Sequence, residues 1–544
     1  MTIGFGTSTD SFARRRVYPA YAEKAMVAAA HPAIVDAGMQ IQHQGGNAFD
    51  IAVAAGLAAS VVMPEMCGLG GELFAVFSQS GAAPKSIQAS GRSPRGASYE
   101  LMKQVGGNHM PYTGPHSIAV PGMVDALFHL LENYGTMSFA QVVEPAIDLA
   151  RNGFPLLPNG AKDIALNAEL LAADPAAAAI FLANGTEPAA GTRLVQTDLA
   201  NTFETLATEG VQSFYSGSLA KRMVGYLQSV GSKFELDDFA AYETDHASPY
   251  SVTYRGNTVY QTALPSQGII LLEALNIAEN ADLSDPHSAD SIHIMVEIKK
   301  LAYADRIANL ADLRENPIEK LLNKNFAAKR YGQIAPDAAS IASIGDLSDG
   351  DTTYLCAADA DGNMVSLIQS VSSAFGSGIV AGDTGVVMNN RSGRGFSLDP
   401  EHVNVYAPGK RSMHTLNAYL IADQQGRPVL VGGTPGGDGQ PQWNLQGIVG
   451  LIDAGYDVQT AIEQPRWTSW PGTDPSTFDN PFELRMESRV DESVRTDLAG
   501  RGHKVVEQDA WRGGGSAQMI ARDPETGLLI GGSDARVEGL ALGR

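Results

Sequence analysis

At 544 residues, 44% hydrophobic and 18% charged, the chain can bury a large core and does not have the composition of a disordered protein. Its 38 basic and 60 acidic residues leave a formal charge of −22. That argues against non-specific binding to nucleic acid or to an anionic membrane, since both need a basic surface. The two cysteines, Cys67 and Cys356, are too few for a disulfide framework and read as inert buried thiols.

Arg14-Arg15-Arg16 is followed by no apolar core of signal-peptide length. The Ala-rich run Ile51 to Met63 is too short to span a bilayer, so a cytoplasmic protein is expected. Gly45 to Asp50 leads into a helix over Ile51 to Val62. Asn47 is placed to cap it, Asp50 adds negative charge to the first turn, and Pro64 ends it. The cluster Gly68-Leu69-Gly70-Gly71 precedes a strand, Leu73 to Phe77, instead of following one, which argues against a dinucleotide loop. Helices are predicted over Val124 to Tyr134 and Phe139 to Arg151, and residues 160 to 235 are helical in pattern. Strands Tyr250 to Tyr254 and Thr258 to Thr262 turn at Arg255-Gly256-Asn257. Pro265-Ser266-Gln267-Gly268 opens a helix through Ala278, His293 to Leu310 is another, and residues 335 to 351 read as a linker.

The second half is richer in strands. After a polar loop, Ser343 to Asp351, the apolar run Tyr354 to Ala358 turns at Asp359 to Asn363 into a second run, Met364 to Ile368. That is a β-hairpin. Further strands are expected at Gly385 to Met388, Leu416 to Ala422, Val429 to Gly432, Ala517 to Ala521 and Leu528 to Gly532. Helices are expected over Gln442 to Ala454, Val458 to Glu463 and Val490 to Arg501. Two sets of strands with flanking helices suit two packed sheets covered on both sides. The pair Thr352-Thr353 opens the hairpin. β-branched residues are common at strand starts, but a threonine there can also become a new N-terminus. Its hydroxyl is then a nucleophile and its own amine the base.

Blocks along most of the chain decide between these readings. They include Gly45 to Asp50, Pro64 to Gly71, Ala119-Val120-Pro121-Gly122, Glu144-Pro145-Ala146, Phe214 to Gly217, Pro265 to Gly268 and Ala302 to Arg306. Asp351-Thr352-Thr353, Asp361-Gly362-Asn363, Phe375 to Gly378, Asn389-Asn390 and Thr434 to Gly439 follow in order. With these the chain resembles the γ-glutamyltransferase family of N-terminal-nucleophile hydrolases, from about residue 25 to the end. The resemblance implies an α+β fold, the αββα four-layer sandwich, made as an autoprocessed precursor. Thr352 would attack the Asp351 carbonyl and split the chain into a large subunit, 1–351, and a small one, 352–544, which together form one compact fold. Thr352 would then carry the acyl group of an amide substrate, with Gly436 and Gly437 as the oxyanion hole.

The resemblance also places Arg92 as the clamp for a substrate carboxylate, Ser370 and Ser372 as small polar pocket residues, and His414-Thr415 where relatives have a serine pair. His414 reads equally as a substrate contact or as a hydrogen-bonded core histidine. Where relatives hold an acid for the substrate α-amine, the run after Asn390 has Arg391 and Arg394 instead. A basic pocket for a small anionic amide is therefore expected, as in oxamate amidohydrolase. A γ-glutamyl amide and a cephalosporin-type acylase substrate are the alternatives. The intact Thr352 and Gly436-Gly437 argue against a non-catalytic binding protein. His43, His287 and His293 show no two-ligand helical spacing, so no metal or other cofactor is expected. Pairing of processed heterodimers is a further expectation from the resemblance.

Overall fold

Strand periodicity places two seven-stranded antiparallel sheets face to face. A computed structural model describes residues 18–182, 185–312, 317–340, 351–471 and 482–544. One sheet runs Ala20–Ala22, Leu529–Ser533, Gln518–Arg522, Pro428–Gly433, Tyr419–Ala422, Asn257–Gln261, Tyr250–Tyr254. The other runs Leu540–Gly543, Ala25–Ala29, Asp351–Asp359, Met364–Ser372, Glu72–Ser78, Lys85–Ala89, Asp245–Ala247. Alternate residues of each strand point to opposite faces. Tyr354, Cys356 and Ala358 therefore join Phe74, Val76, Leu420 and Val431 in a core between the sheets. Leu355 and Ala357 instead pack on the helices Pro32–His43 and Ala48–Val62. On the far side, Gly268–Ala278, Ala289–Asn309 and Gln440–Ile452 cover the other sheet. These four layers are the expected αββα sandwich. Both sheets contain strands from either side of residue 351, so a cut there leaves neither fragment with either of these two sheets complete.

The helix after Asn47 starts as expected. Asn47 accepts from the Phe49 and Asp50 amides while Asp50 accepts from the Asn47 amide, a reciprocal cap. Other expectations are corrected. Phe139 to Arg151 is two helices, Phe139–Val142 and Glu144–Asn152, because Pro145 belongs in a helix's first turn and lacks the amide that would continue one. Gly385 to Met388 makes isolated bridges, Val380 with Val387 and Gly70 with Met388, and no ladder. Strand Ala25–Ala29, helix Pro32–His43 and a small sheet of Trp467–Trp470, Glu483–Glu487 and Val505–Gln508 were not anticipated. Arg14 to Arg16 and the loop Ser343 to Gly350 lie outside the described residues.

Residues 335–340, read as linker, are pinned. His293 shares a 2.7 Å hydrogen bond with the Ala335 carbonyl, Glu297 accepts from the Ser340 amide at 3.1 Å, and Lys300 donates to the Ser340 carbonyl at 3.0 Å. Burial pushes the imidazole pKa of both His31 and His503 down to about 4, with Lys300 and His293 adding to the effect at His503. The folded state then binds fewer protons than the unfolded one below an ordinary histidine pKa of about 6.5, so stability falls as pH drops from there toward 4. Thermal unfolding at pH 7 and pH 5 should give a lower Tm at pH 5. An unchanged Tm would show that these imidazoles take up protons in place.

Candidate active site

The strand parity that packs Tyr354 between the sheets also directs Thr352 there and sends Thr353 to the helix side, where its hydroxyl meets Met63 Sδ at 3.7 Å. Both threonines are buried. Thr352 Oγ1 donates to Ser370 Oγ at 3.1 Å on the neighbouring strand, and Ser370 Oγ also accepts from the Ser372 amide at 2.7 Å. The ladder slips register between Asp351 and Thr353, and Ser372 sits at φ +87°, an unfavourable region for a side-chain-bearing residue. The irregularity that breaks the pairing falls at the predicted scissile bond.

Across the sandwich, Gly433 lets the sheets approach closely. A Cβ on Gly433 would stand 2.5 Å from the Tyr354 ring, and Ser366 donates to the Gly432 carbonyl at 3.2 Å. Thr352, two residues before Tyr354 on the same face, lies at the end where Gly433 passes into the turn Thr434 to Gly439. In that turn Gly436 and Gly437 take φ of +119° and +51°, which glycine adopts without strain. Among the described residues neither amide has an acceptor. The turn is held from outside: Gln267 donates to the Gly437 carbonyl at 2.9 Å and to the Thr415 carbonyl at 2.7 Å, and Tyr303 to the Asp438 carbonyl. Arg306 pairs with the Asp438 carboxylate and bonds Gln267. The Trp443 ring fills the space beside Gly436 and Gly439. Gln267, Tyr303 and Arg306 belong to two sequence blocks noted above, and this is the physical reason for them.

His414 is fully buried with its ring 4.6 Å from that of Phe74, and neither ring nitrogen has a partner. Burial, then Arg391, Arg411 and Arg394, push its pKa well below the usual range, so the ring is neutral. Thr415 Oγ1 and Ser372 Oγ are also buried without partners. Asn389 bonds the backbone of Gly70 and Ala119, and Asn390 that of Tyr112 and Ser373, which fixes the short helix Arg391–Gly395 against the site. Arg394 donates to the Ser372 carbonyl at 2.8 Å. Arg391 is buried, with Nε and Nη2 lacking hydrogen-bond acceptors. No acid follows Asn390; the carboxylate found beside Arg391 is that of Glu72, which is in register with Ser370 and stands 3.5 Å from Arg391 Nη2. No reading of the sequence singled Glu72 out. The available signal was an acid placed directly after Gly70-Gly71 at the start of an apolar strand.

A cavity beside these residues is lined by Arg306, Arg391, Arg394, His402, Thr415 and Asp438, among others. Arg391, Arg394 and Thr415 thus reach one wall together. Arg92 is not brought to this group. Its guanidinium is exposed, donates to the Gly409 carbonyl at 3.3 Å and lines a separate cavity with Arg411 and Asp245. His293, Glu297 and His503 could in principle hold a metal, their ligand atoms lying within 4.8 Å of one another. The protein already engages them. His293 and His503 hydrogen-bond at 2.8 Å, and Lys300 pairs with Glu297 at 2.6 Å. Along the helix that carries them, His293 lies about 15 Å and Glu297 about 9 Å from Tyr303.

Residues 35–543 match the family model described as Gamma-glutamyltranspeptidase. The chain is 41% identical to the glutathione hydrolase-like YwrD proenzyme of Bacillus subtilis over 96% of its own length and 98% of that protein. It is 34% identical to the oxamate amidohydrolase proenzyme of Klebsiella pneumoniae, over 95% of this chain and 98% of that one. Among solved structures it superposes on the cephalosporin acylase of Bacillus halodurans with a TM-score of 0.91 and 31% identity, covering 100% of this chain and 99% of the acylase. No helix among the described residues is long and apolar enough to cross a membrane.

Proposed function

The chain belongs to the gamma-glutamyltranspeptidase family and is a hydrolase acting on C–N bonds, and we propose that it matures by cutting itself before Thr352 and then hydrolyses a small carboxylate-bearing amide. In maturation Thr352 Oγ attacks the Asp351 carbonyl carbon, the peptide C–N bond breaks, and the nitrogen takes up the proton that the hydroxyl gives up, becoming the free Thr352 amine. Water then opens the Asp351–Thr352 ester, leaving subunits 1–351 and 352–544. In turnover the same hydroxyl, its proton passed to that amine, attacks the substrate amide. The amine or ammonia leaves with a proton, and water releases the acid from the Thr352 ester. The developing oxyanion is met by the Gly436 and Gly437 amides, donors that cost no rearrangement when the charge forms.

The observation that carries the substrate class is Arg391: a buried guanidinium on the cavity wall, its Nε without a hydrogen-bond acceptor and its Nη2 met only by Glu72 at 3.5 Å, with the Ser372 and Thr415 hydroxyls also lacking partners. A carboxylate satisfies a guanidinium in two-pronged fashion, and an ammonium cannot. Oxamate, an amide beside a carboxylate, is the simplest such substrate. A γ-glutamyl amide is the second reading, favoured by Glu72, an acid close enough to the site to answer an α-ammonium.

Processed protein offered oxamate and γ-glutamyl-p-nitroanilide side by side separates them. Ammonia from oxamate without nitroaniline is the expected result, and nitroaniline with no ammonia would overturn it. Arg391→Ala should raise KM for the carboxylate substrate about 10- to 100-fold, the worth of a charge-assisted hydrogen-bond pair. Arg92→Ala, at its separate cavity, should leave that KM unchanged. The reverse pattern would move the clamp to Arg92.

A further inference from the structure

If Arg391 receives a substrate carboxylate, as proposed above, then Glu72 needs a role of its own. It is fully buried, and neither of its carboxylate oxygens has a hydrogen-bond donor. Its charge is answered by Arg391 Nη2 at 3.5 Å, longer than a good hydrogen bond. Arg391 is equally buried, and an unpaired charge of either sign at that depth is strongly disfavoured. The two differ in access. Arg391 lines the cavity and Glu72 does not. The guanidinium therefore stands between two anion positions, one belonging to the protein behind it and one open to a ligand in front.

We propose that Glu72 is the internal counter-ion of Arg391 and a specificity-determining residue, which neutralises the anion site while it is empty and takes up a proton when a ligand carboxylate binds to Arg391. The empty pocket then holds no uncompensated cation, and the occupied one holds no second buried anion. The proton comes from solvent, settles on a Glu72 carboxylate oxygen, and no covalent bond changes. A ligand carrying a carboxylate alone uses this exchange. A ligand that brings an ammonium as well leaves Glu72 charged, so one residue gives the two substrate classes opposite pH dependence.

The surroundings permit the exchange. Burial pushes the Glu72 carboxyl up to about 7, and Arg391 is what opposes the rise. A ligand anion on Arg391 weakens that opposition and adds a like charge nearby, which favours the protonated acid further. The elements packed around Glu72 bring few other charges. The adjacent strand supplies the neutral Ser370, and the strand beyond it Thr352, whose amine is free only after cleavage. The short helix carries Arg391 and Arg394, Tyr112 lies near Arg391, and the segment leading into strand Tyr419–Ala422 contributes His414, which burial keeps neutral.

The test is calorimetric titration of processed protein with oxalate, the product of oxamate hydrolysis, at pH 8 in two buffers of different ionisation enthalpy. Wild-type protein should take up about one more proton per oxalate bound than Glu72→Gln, whose side chain mimics the protonated acid. The variant should also bind oxalate about tenfold tighter at that pH, since holding a proton one unit above a pKa near 7 costs a factor of ten. Equal proton uptake and equal affinity in the two proteins would overturn the proposal. If the variant does not mature, the wild type decides alone, because zero uptake is incompatible with protonation of Glu72. Linked uptake in a protein inactive on oxamate would sustain the counter-ion role and refute only the substrate.

Discussion

Thr352→Ala should yield a single full-length chain on a denaturing gel and no amidase activity. One oxygen atom is asked to do both jobs, and the substitution removes it. Without Oγ1 nothing is positioned to attack the Asp351 carbonyl, so the α-amine that would act as base in turnover is never released. The loss should be far larger than that from any pocket substitution, roughly 10⁶-fold or more, as when a covalent route is closed altogether. The fold should survive, because the deletion removes one buried hydrogen bond, to Ser370 Oγ, worth about 1 kcal/mol. Thr352→Ser keeps a hydroxyl in place and should cleave and turn over more slowly. Sequencing the N-terminus of the small fragment supplies the check. A start at Thr352 in wild type and no fragment in the alanine variant is expected, whereas normal fragments from Thr352→Ala would remove this residue from the mechanism.

Gly436→Ala should reduce kcat by about 10²- to 10³-fold with a smaller change in KM, the range seen when an oxyanion donor is lost. The argument is steric. At φ +119° an L-residue is strained, and its Cβ would come within 2.1 Å of the Trp443 ring. Trp443 cannot withdraw easily, since its ring also packs against Gly439, Gly514 and Gly515. Its indole nitrogen is further bonded to Thr468 Oγ1 at 2.9 Å. The turn must therefore shift, and the Gly436 and Gly437 amides shift with it. Because the donors act on charge that develops during reaction, ground-state affinity should suffer less than turnover. Stopped-time assays of processed variant and wild type measure this, with circular dichroism to confirm the fold. Wild-type kcat in a folded variant would exclude the turn from oxyanion binding.

Much of this was legible in the order of residues because the physics involved is local. The Asn47 cap needs only its neighbours within one turn, and the hairpin after Thr352 needs only period-two alternation and a turn at Asp359 to Asn363. The helix boundary at Pro145 is equally local, since a proline in a helix's first turn marks a new start between Val142 and Glu144. Strand Ala25–Ala29 is different. It is buried on both faces between Asp351–Asp359 and Leu540–Gly543, so it carries no polar alternation to mark it.

By itself, then, the sequence determined the hairpin that opens at Thr352, the glycine turn, most helices and membership of a hydrolase family acting on C–N bonds. Only the tertiary structure decided how charge is arranged around them. Arg391 and Arg394 read as a basic pair until Glu72, from a strand in the first part of the chain, is found against Arg391. Arg306 and Asp438, 132 residues apart, become the brace of the glycine turn. Arg92, which the family resemblance offers as a carboxylate clamp, is exposed and lines a separate cavity with Arg411 and Asp245. Buried charges interact through space over a few ångströms, and no spacing along the chain records which of them will be brought that close.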